Sequence, residues 1–309
     1  HLTLLAPAVR ERRPDLSLVH FHHTPFAGAN GVRVLPPAAH DELLDGLARH
    51  DACGFHTDAW CANFLESASM WPRDASPRVF ASTLSSDAAA LRATASSQDC
   101  VTAIEAIDEL VGDRRLILRV DRMELSKNIV RGFDAYDLLL EERADLRGTV
   151  VFLACCYPSR ETVPAYALYR DEVRAAAARV NDRWATTDWT PVHLETDDDY
   201  PRSVAALTRY DVLVVNPVSD GLNLVAKEGP LVNRNDGQLV LSTEAGAYHE
   251  LSDGADGIHP FDLSATARAI GAALDRSPAD RRERASRLAT AAAARTPADW
   301  LADQIAAAG

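Results

Sequence analysis

From Arg115 onward, short unbroken apolar runs alternate with longer amphipathic stretches. The runs Leu116–Val120, Val150–Cys155, Pro191–Leu194, Val212–Val215 and Leu239–Leu241 read as strands. The stretches Ile129–Glu142, Val163–Trp184, Tyr200–Thr208 and Leu222–Leu231 read as helices. Buried strands that each lead into a helix predict a parallel sheet with right-handed crossovers. This half reads as a doubly wound, Rossmann-like α/β domain. The first hundred residues repeat the pattern with fewer parts: strands at Leu18–Phe21, Ala52–Phe55 and Val79–Ser82, and helices at Asp41–His50 and Trp60–Met70. So few parallel strands do not close a core comfortably, and this first α/β domain is expected to be incomplete in this chain. Two helices, Ala279–Thr296 and Ala298–Ala308, finish the pattern. The expected divisions are 1–110, 111–295 and a C-terminal helix at 296–309.

Composition narrows the function classes. The 309 residues are 47% hydrophobic and 25% charged, ordinary for a globular protein. The net charge of −13 argues against a nucleic-acid or anionic-membrane partner. No apolar run approaches the roughly 18 residues of a membrane span. The five cysteines form no CxxC pair, so neither a disulfide framework nor a zinc site is expected and a cytoplasmic, reducing setting fits. The chain opens at His1 with no signal-peptide pattern and reads like the middle of a domain.

Lysine occurs only twice, in a chain whose other basic side chains are all arginine. Both lysines fall in polar strings at predicted strand ends, where a compact ammonium and a planar guanidinium are not equivalent. The first string is Val120-Asp121-Arg122-Met123-Glu124-Leu125-Ser126-Lys127-Asn128. Arg122 and Lys127 sit there at the carboxyl edge of the sheet, where α/β folds take ligands, and a fork and a point charge together suit a diphosphate. The plainer alternative pairs Arg122 with Asp121 or Glu124 on the surface.

The second string runs from Asn216 to Glu228. Ser219-Asp220-Gly221 makes a turn, with Gly221 allowing close backbone approach. The following helix offers free N–H groups near Leu222–Leu224. Asp220 and Asn223 suit sugar hydroxyls, and Glu228, further down the helix, suits a ribose diol. The alternatives make Asp220 an N-cap and Glu228 a surface acid. Arg160, after Cys155-Cys156-Tyr157-Pro158-Ser159, suits a phosphate facing the cleft between domains, or merely flanks a helix. His20, His22 and His23 lack a third-ligand pattern for metal; one of them contacting substrate fits better. Ser242-Thr243-Glu244-Ala245-Gly246-Ala247 closes a strand as another candidate sugar-facing loop. The chain contains no GxSxG, P-loop, HExxH or GxGxxG motif.

Taken in order, these strings resemble the trehalose-6-phosphate synthase family of retaining glycosyltransferases, in its actinobacterial style. The resemblance rests on His1-Leu2, His23-Thr24-Pro25-Phe26, Gly54-Phe55-His56-Thr57, Val120-Asp121-Arg122 with Ser126-Lys127, Pro158-Ser159-Arg160, Asp220 through Glu228, and Leu241-Ser242 with Ala245-Gly246-Ala247. It implies a GT-B fold of two Rossmann-like domains, the acceptor-side one at 1–110 and the nucleotide-sugar one at 111–295. It implies that Arg122 and Lys127 clamp the donor diphosphate and that Glu228 holds the ribose. Asp220, Gly221, Asn223 and the amides of Leu224 and Val225 would position the donor, His23 would touch the donor sugar, and Arg160 would bind the phosphate of glucose 6-phosphate. The implied reaction moves glucose from a nucleoside diphosphate to glucose 6-phosphate with retention, without cofactor, metal or protein nucleophile. The leaving phosphate, neutralised by Arg122 and Lys127, takes the acceptor proton. The actinobacterial style favours GDP-glucose over UDP-glucose, and homo-oligomerisation is left open.

Three departures stand out. The family's first Rossmann segment is absent, Ala27-Gly28-Ala29-Asn30 replaces its usual Pro-Ser-Ser-Glu, and His56 replaces a glutamine. They keep two alternatives in view. One is a pseudo-glycosyltransferase of the validoxylamine 7′-phosphate synthase kind, joining a nucleotide-linked cyclitol to an aminocyclitol phosphate. The other is a non-catalytic sugar-phosphate sensor.

Overall fold

The structure is a computed structural model that describes residues 2–69 and 76–309. His1 of the first motif and the expected helix end at Met70 lie outside the described residues. The chain divides into two compact units, 1–85 with 295–309, and 86–294.

The larger unit carries six parallel strands: β4 (Arg115–Met123), β5 (Val150–Pro158), β6 (Val192–Glu195), β7 (Val212–Val215), β8 (Gln238–Ser242) and β9 (Asp256–Ile258). Their order across the sheet is β6-β5-β4-β7-β8-β9. The order reverses between β4 and β7, which makes a topological switch point at their carboxyl ends. β4 and β5 pair along their whole length, from Arg115 opposite Val150 to Met123 opposite Pro158. β4 and β7 pair only at Ile117–Val212 and Leu118–Leu213. Beyond Leu118 the two strands are joined by side chains and loops instead of a ladder.

Helix Ile129–Glu142 buries Ile129, Phe133, Tyr136 and Leu140 against Ile117, Phe152 and Val214. That is one stripe at helical spacing. Burying Phe133 alone is worth roughly 2–3 kcal/mol. The predicted strands and helices of this unit are all present, with ends that coincide or move by up to three residues, except that helix Pro278–Ala292 stops four residues before the expected Thr296. β9 was not predicted, because three residues with one buried side chain give no apolar run.

Among its described residues the smaller unit has three parallel strands in the order β1-β2-β3: β1 (Val19–His22), β2 (Ala52–Phe55) and β3 (Arg78–Ala81). Phe26, Phe55 and Phe64 form its core, with ring centroids 5.2–5.7 Å apart. β1 lies on an edge and all four of its residues are half-buried.

The units cut the chain elsewhere than at the expected 110 and 296. Helix Gln98–Val111 packs in the larger unit, where Arg209 reaches Asp108 at 2.6 Å and Arg202 donates to the Ala103 carbonyl at 3.1 Å. Helix Pro297–Ala307 is no separate element. Its Asp303 accepts from Ser82 at 2.7 Å, Arg78 donates to the Ala306 carbonyl at 2.8 Å, and Trp300 lies edge-on to Phe21. These contacts return the chain end to the smaller unit. Neither was legible because partners distant in sequence decide both. No helix among the described residues is long and apolar enough to cross a membrane, and all five cysteines are free and buried.

Edge strand β1 sets up one pH dependence. Burial, then the neighbouring His50 and His22, lower the His20 pKa from 6.5 to about 4. A base with a depressed folded pKa takes up its proton more readily when unfolded. Its contribution is therefore fully present above the unfolded value of 6.5 and is lost as pH falls from there toward 4. The melting temperature is expected to drop over that window, and His20→Gln to shallow the drop. A variant whose Tm falls as steeply as the parent's removes His20 as a contributor.

Candidate functional site

The carboxyl ends of β4 and β7 bring most of the singled-out residues of the larger unit together. Lys127 closes a short 3-10 turn after β4, and its ammonium reaches Asp220 Oδ2 at 2.7 Å and Asp121 Oδ1 at 3.7 Å. Asn223 Nδ2 donates to the same Asp220 oxygen at 3.2 Å. The two loops are tied by Val218 N–H to the Ser126 carbonyl at 2.8 Å and Asn128 Nδ2 to the Asn216 carbonyl at 3.0 Å. Residues 93 positions apart thus form one cluster.

Burial works against the Lys127 ammonium, but Asp121 and Asp220 outweigh it and its pKa is raised. Burial raises the Asp121 carboxyl, against the pull of Arg119 and Lys127. Arg122 is half-exposed and pairs with Glu124 Oε1 at 2.7 Å, one of the two surface partners anticipated for it. Glu124 also accepts from Ser159 Oγ at 3.1 Å, so one carboxylate links the loops after β4 and β5.

The helix after β7 runs Leu224–Val232, starting two residues later than the sequence suggested. The reason is Asn223, whose φ of 77° breaks the helix and whose side chain caps the Ala226 amide at 3.1 Å. Asp220 is therefore not the N-cap. The residue of this loop with positive φ is Asn223. Leu224 and Val225 occupy the first helical turn, where backbone amides have no intrahelical acceptor. Glu228, on the same helix, accepts from Ser86 Oγ at 2.9 Å. Burial raises its pKa and the Ser86 hydrogen bond opposes the rise.

Arg160 follows β5 with φ 50°. Its guanidinium donates to Tyr166 Oη at 2.9 Å and stands 5.4 Å from the centre of that ring. Asn128, Arg160 and Asn223, three of the four non-glycine residues with positive φ among the described residues, each follow a strand at this edge. Such strain collects where function over-determines the backbone. His23 belongs to the smaller unit, with Nδ1 3.2 Å from His56 Nε2 and its ring beside Phe21 and Trp300. Lys227, the second rare lysine, is fully buried and bonds Glu250 Oε2 at 2.8 Å; its position is structural. Sequence reasoning missed Ser86, Glu124 as a bridge, and Arg119, a lone arginine in the apolar run Leu116-Ile117-Leu118-Arg119-Val120.

The profile of glycosyltransferase family 20 matches residues 1–308. The chain belongs to glycosyltransferase family 20. It is 32% identical over 291 residues to the bifunctional trehalose-6-phosphate synthase/phosphatase of Thermoproteus tenax, covering 89% of this chain and 39% of that protein. It is 32% identical over 306 residues to the validamine 7-phosphate valienyltransferase of Streptomyces hygroscopicus subsp. jinggangensis, covering 96% and 61%. The chain thus spans less than two thirds of the length of these curated relatives. A Burkholderia xenovorans alpha,alpha-trehalose-phosphate synthase (UDP-forming) in complex with glucose-6-phosphate matches all of the chain over 72% of its own, with TM-score 0.93 and 28% identity. An E. coli structure bound with UDP-2-fluoro glucose gives TM-score 0.93 at 27% identity, covering 100% and 71%. The fold of this family 20 chain is accordingly GT-B, with two parallel-sheet α/β units.

Gly246 tests how tightly the loop after β7 is held. A Cβ at Gly246 would overlap the Gly221 carbonyl oxygen. Gly246→Ala is expected to displace residues 220–223 and cost about 1–3 kcal/mol of stability. Chemical denaturation measures the loss; a fully stable variant would show the loop to be loosely held.

Proposed function

We propose that the protein containing this chain is a retaining glucosyltransferase that makes α,α-trehalose 6-phosphate from a nucleoside diphosphate glucose and glucose 6-phosphate. The observation that carries this reading is the Lys127–Asp220–Asn223 cluster at the switch point, beside the open first turn at Leu224 and Val225. It juxtaposes a cation and free amides suited to a diphosphate with polar groups suited to sugar hydroxyls.

In this reading Arg122 and Lys127 take the diphosphate, exchanging their present carboxylate partners for phosphate oxygens. Asp220, Gly221, Asn223, Leu224 and Val225 orient the donor, Glu228 accepts from the ribose, and His23 contacts the donor sugar. The bond from the anomeric carbon to the diphosphate breaks as the acceptor oxygen bonds to the same carbon on the same face. The acceptor proton passes to the departing diphosphate oxygen. No side chain acts as nucleophile, and the cations stabilise the charge that develops on the leaving group. Glu228 addresses the ribose and not the base, so UDP- and GDP-glucose both fit. The buried free thiols support a cytoplasmic setting.

The similarity to the valienyltransferase supports a second reading, transfer of a nucleotide-linked cyclitol to an aminocyclitol phosphate. The full-length protein offered UDP-, GDP- and ADP-glucose with glucose 6-phosphate is expected to form trehalose 6-phosphate. Product formed only from the cyclitol pair would select the second reading instead.

Arg160 gives a second test. Its guanidinium presents a fork suited to a phosphate monoester. Arg160→Ala is expected to raise the acceptor KM more than it lowers kcat and to spare nucleotide affinity, because the contact is similar in ground and transition states. Loss of nucleotide affinity with unchanged acceptor KM would place Arg160 on the donor side.

A further inference from the structure

Arg119 is fully buried, in the middle of β4, and heads the largest side chains that the structure hides from solvent. Arginine is almost never buried this deeply unless paired. Its partners are few. Nη1 donates to the Lys127 carbonyl at 3.1 Å and lies 3.5 Å from Asp121 Oδ2, while Nε and Nη2 have no hydrogen-bond partner among the described residues. The unpaired side faces Gly132, where an added Cβ would lie 3.3 Å from Nη2 and 3.5 Å from the equally unpaired Asn216 Oδ1. The guanidinium thus lies beside Asp121, between the Lys127 carbonyl and Gly132 of helix Ile129–Glu142.

Charge explains its presence. Lys127 faces two carboxylates, Asp121 and Asp220. One ammonium between two acids leaves that part of the site net negative, which opposes an anionic ligand. Arg119 supplies the second cation from below, out of reach of solvent. It also fixes the backbone of Lys127 just before the left-handed residue Asn128.

We infer that Arg119 is a positioning residue for the donor diphosphate: it neutralises Asp121 and anchors the Lys127 carbonyl, which leaves the Lys127 ammonium free to exchange Asp220 for phosphate. This inference rests on the reading that Lys127 binds the diphosphate. Arg119 acts through Lys127 and touches no ligand itself. With Arg119 gone, Asp121 retains Lys127 as its cation and draws it inward, since a buried carboxylate stripped of one partner holds the other more tightly.

A double-mutant cycle tests it on the full-length protein, with UDP and GDP titrated calorimetrically as probes and thermal melting followed in parallel. Lys127→Ala, Arg119→Met, Arg119→Lys and the double variant Arg119→Met/Lys127→Ala are compared. Arg119→Met is expected to weaken the diphosphate at least tenfold and leave uridine or guanosine binding unchanged. The double variant should bind no more weakly than Lys127→Ala alone, because the two effects share one route. Arg119→Lys should recover part of the loss by restoring a buried cation.

Parental diphosphate affinity in a folded Arg119→Met, or a double variant whose losses simply add, overturns the inference while leaving the Lys127 assignment standing. Parental affinity in Lys127→Ala overturns that assignment instead, so the two failures are distinct. Should Arg119→Met not fold, Gly132→Ala serves in its place: its Cβ crowds Nη2, and a several-fold weaker diphosphate at near-parental Tm is expected. Unchanged affinity in a folded Gly132→Ala refutes the inference equally.

Discussion

The ion pair between Lys127 and Asp220 holds the site of the larger unit together. It joins a loop after β4 to a loop after β7 across the point where the sheet order reverses. Backbone pairing between those strands has already ended at Leu118 and Leu213, so the loops depend on side chains for their relative position. An ammonium in this setting costs desolvation, which the two carboxylates repay by proximity. The second of those carboxylates, Asp121, is itself buried and depends on Arg119. Four charges and the Lys127 carbonyl therefore form one unit, and none of its members is satisfied alone.

The same edge shows how strain and openness coexist. Asn128, Arg160 and Asn223 hold backbone conformations that glycine adopts more easily. Each is fixed by contacts of its own. Asn128 bonds the carbonyls of Asn216 and Pro260, Arg160 bonds Tyr166, and Asn223 caps Ala226. Rigid turns at three successive strand ends leave the first turn of helix Leu224–Val232 with unspent amides. Those are the groups an anionic ligand needs, and their geometry is set before it arrives.

One arginine–carboxylate pair and two serine–carboxylate hydrogen bonds extend the network sideways. Arg122 and Ser159 share Glu124, so a change in one strand-end loop is felt in the next. Glu228, bonded to Ser86, lies farther along and is held by burial and not by a countercharge. The site thus grades from a charged centre at Lys127 to a more neutral, hydrogen-bonding flank at Glu228. A nucleotide sugar has that polarity, with a charged diphosphate between a hydroxyl-rich sugar and a ribose.

Sequence alone determined the alternation of strand and helix in the larger unit, because strands buried on both faces write themselves as continuous apolar runs such as Leu116–Leu118 and Val212–Val215. It also marked Lys127, Asp220 and Asn223, since a polar string at a strand end has no packing reason to be there. It could not decide what pairs with what. Whether Lys227 met a ligand or Glu250, whether Gly221 or Asn223 bent the loop, and that helix Gln98–Val111 joins the larger unit while Pro297–Ala307 returns to the smaller one were settled by contacts between residues far apart in the chain. Arg119 is the sharpest case. Its place in an apolar strand was visible, but only the packed sheet gave it Asp121 and Lys127 as neighbours, because a buried charge takes its meaning from the partners that the tertiary fold brings within reach.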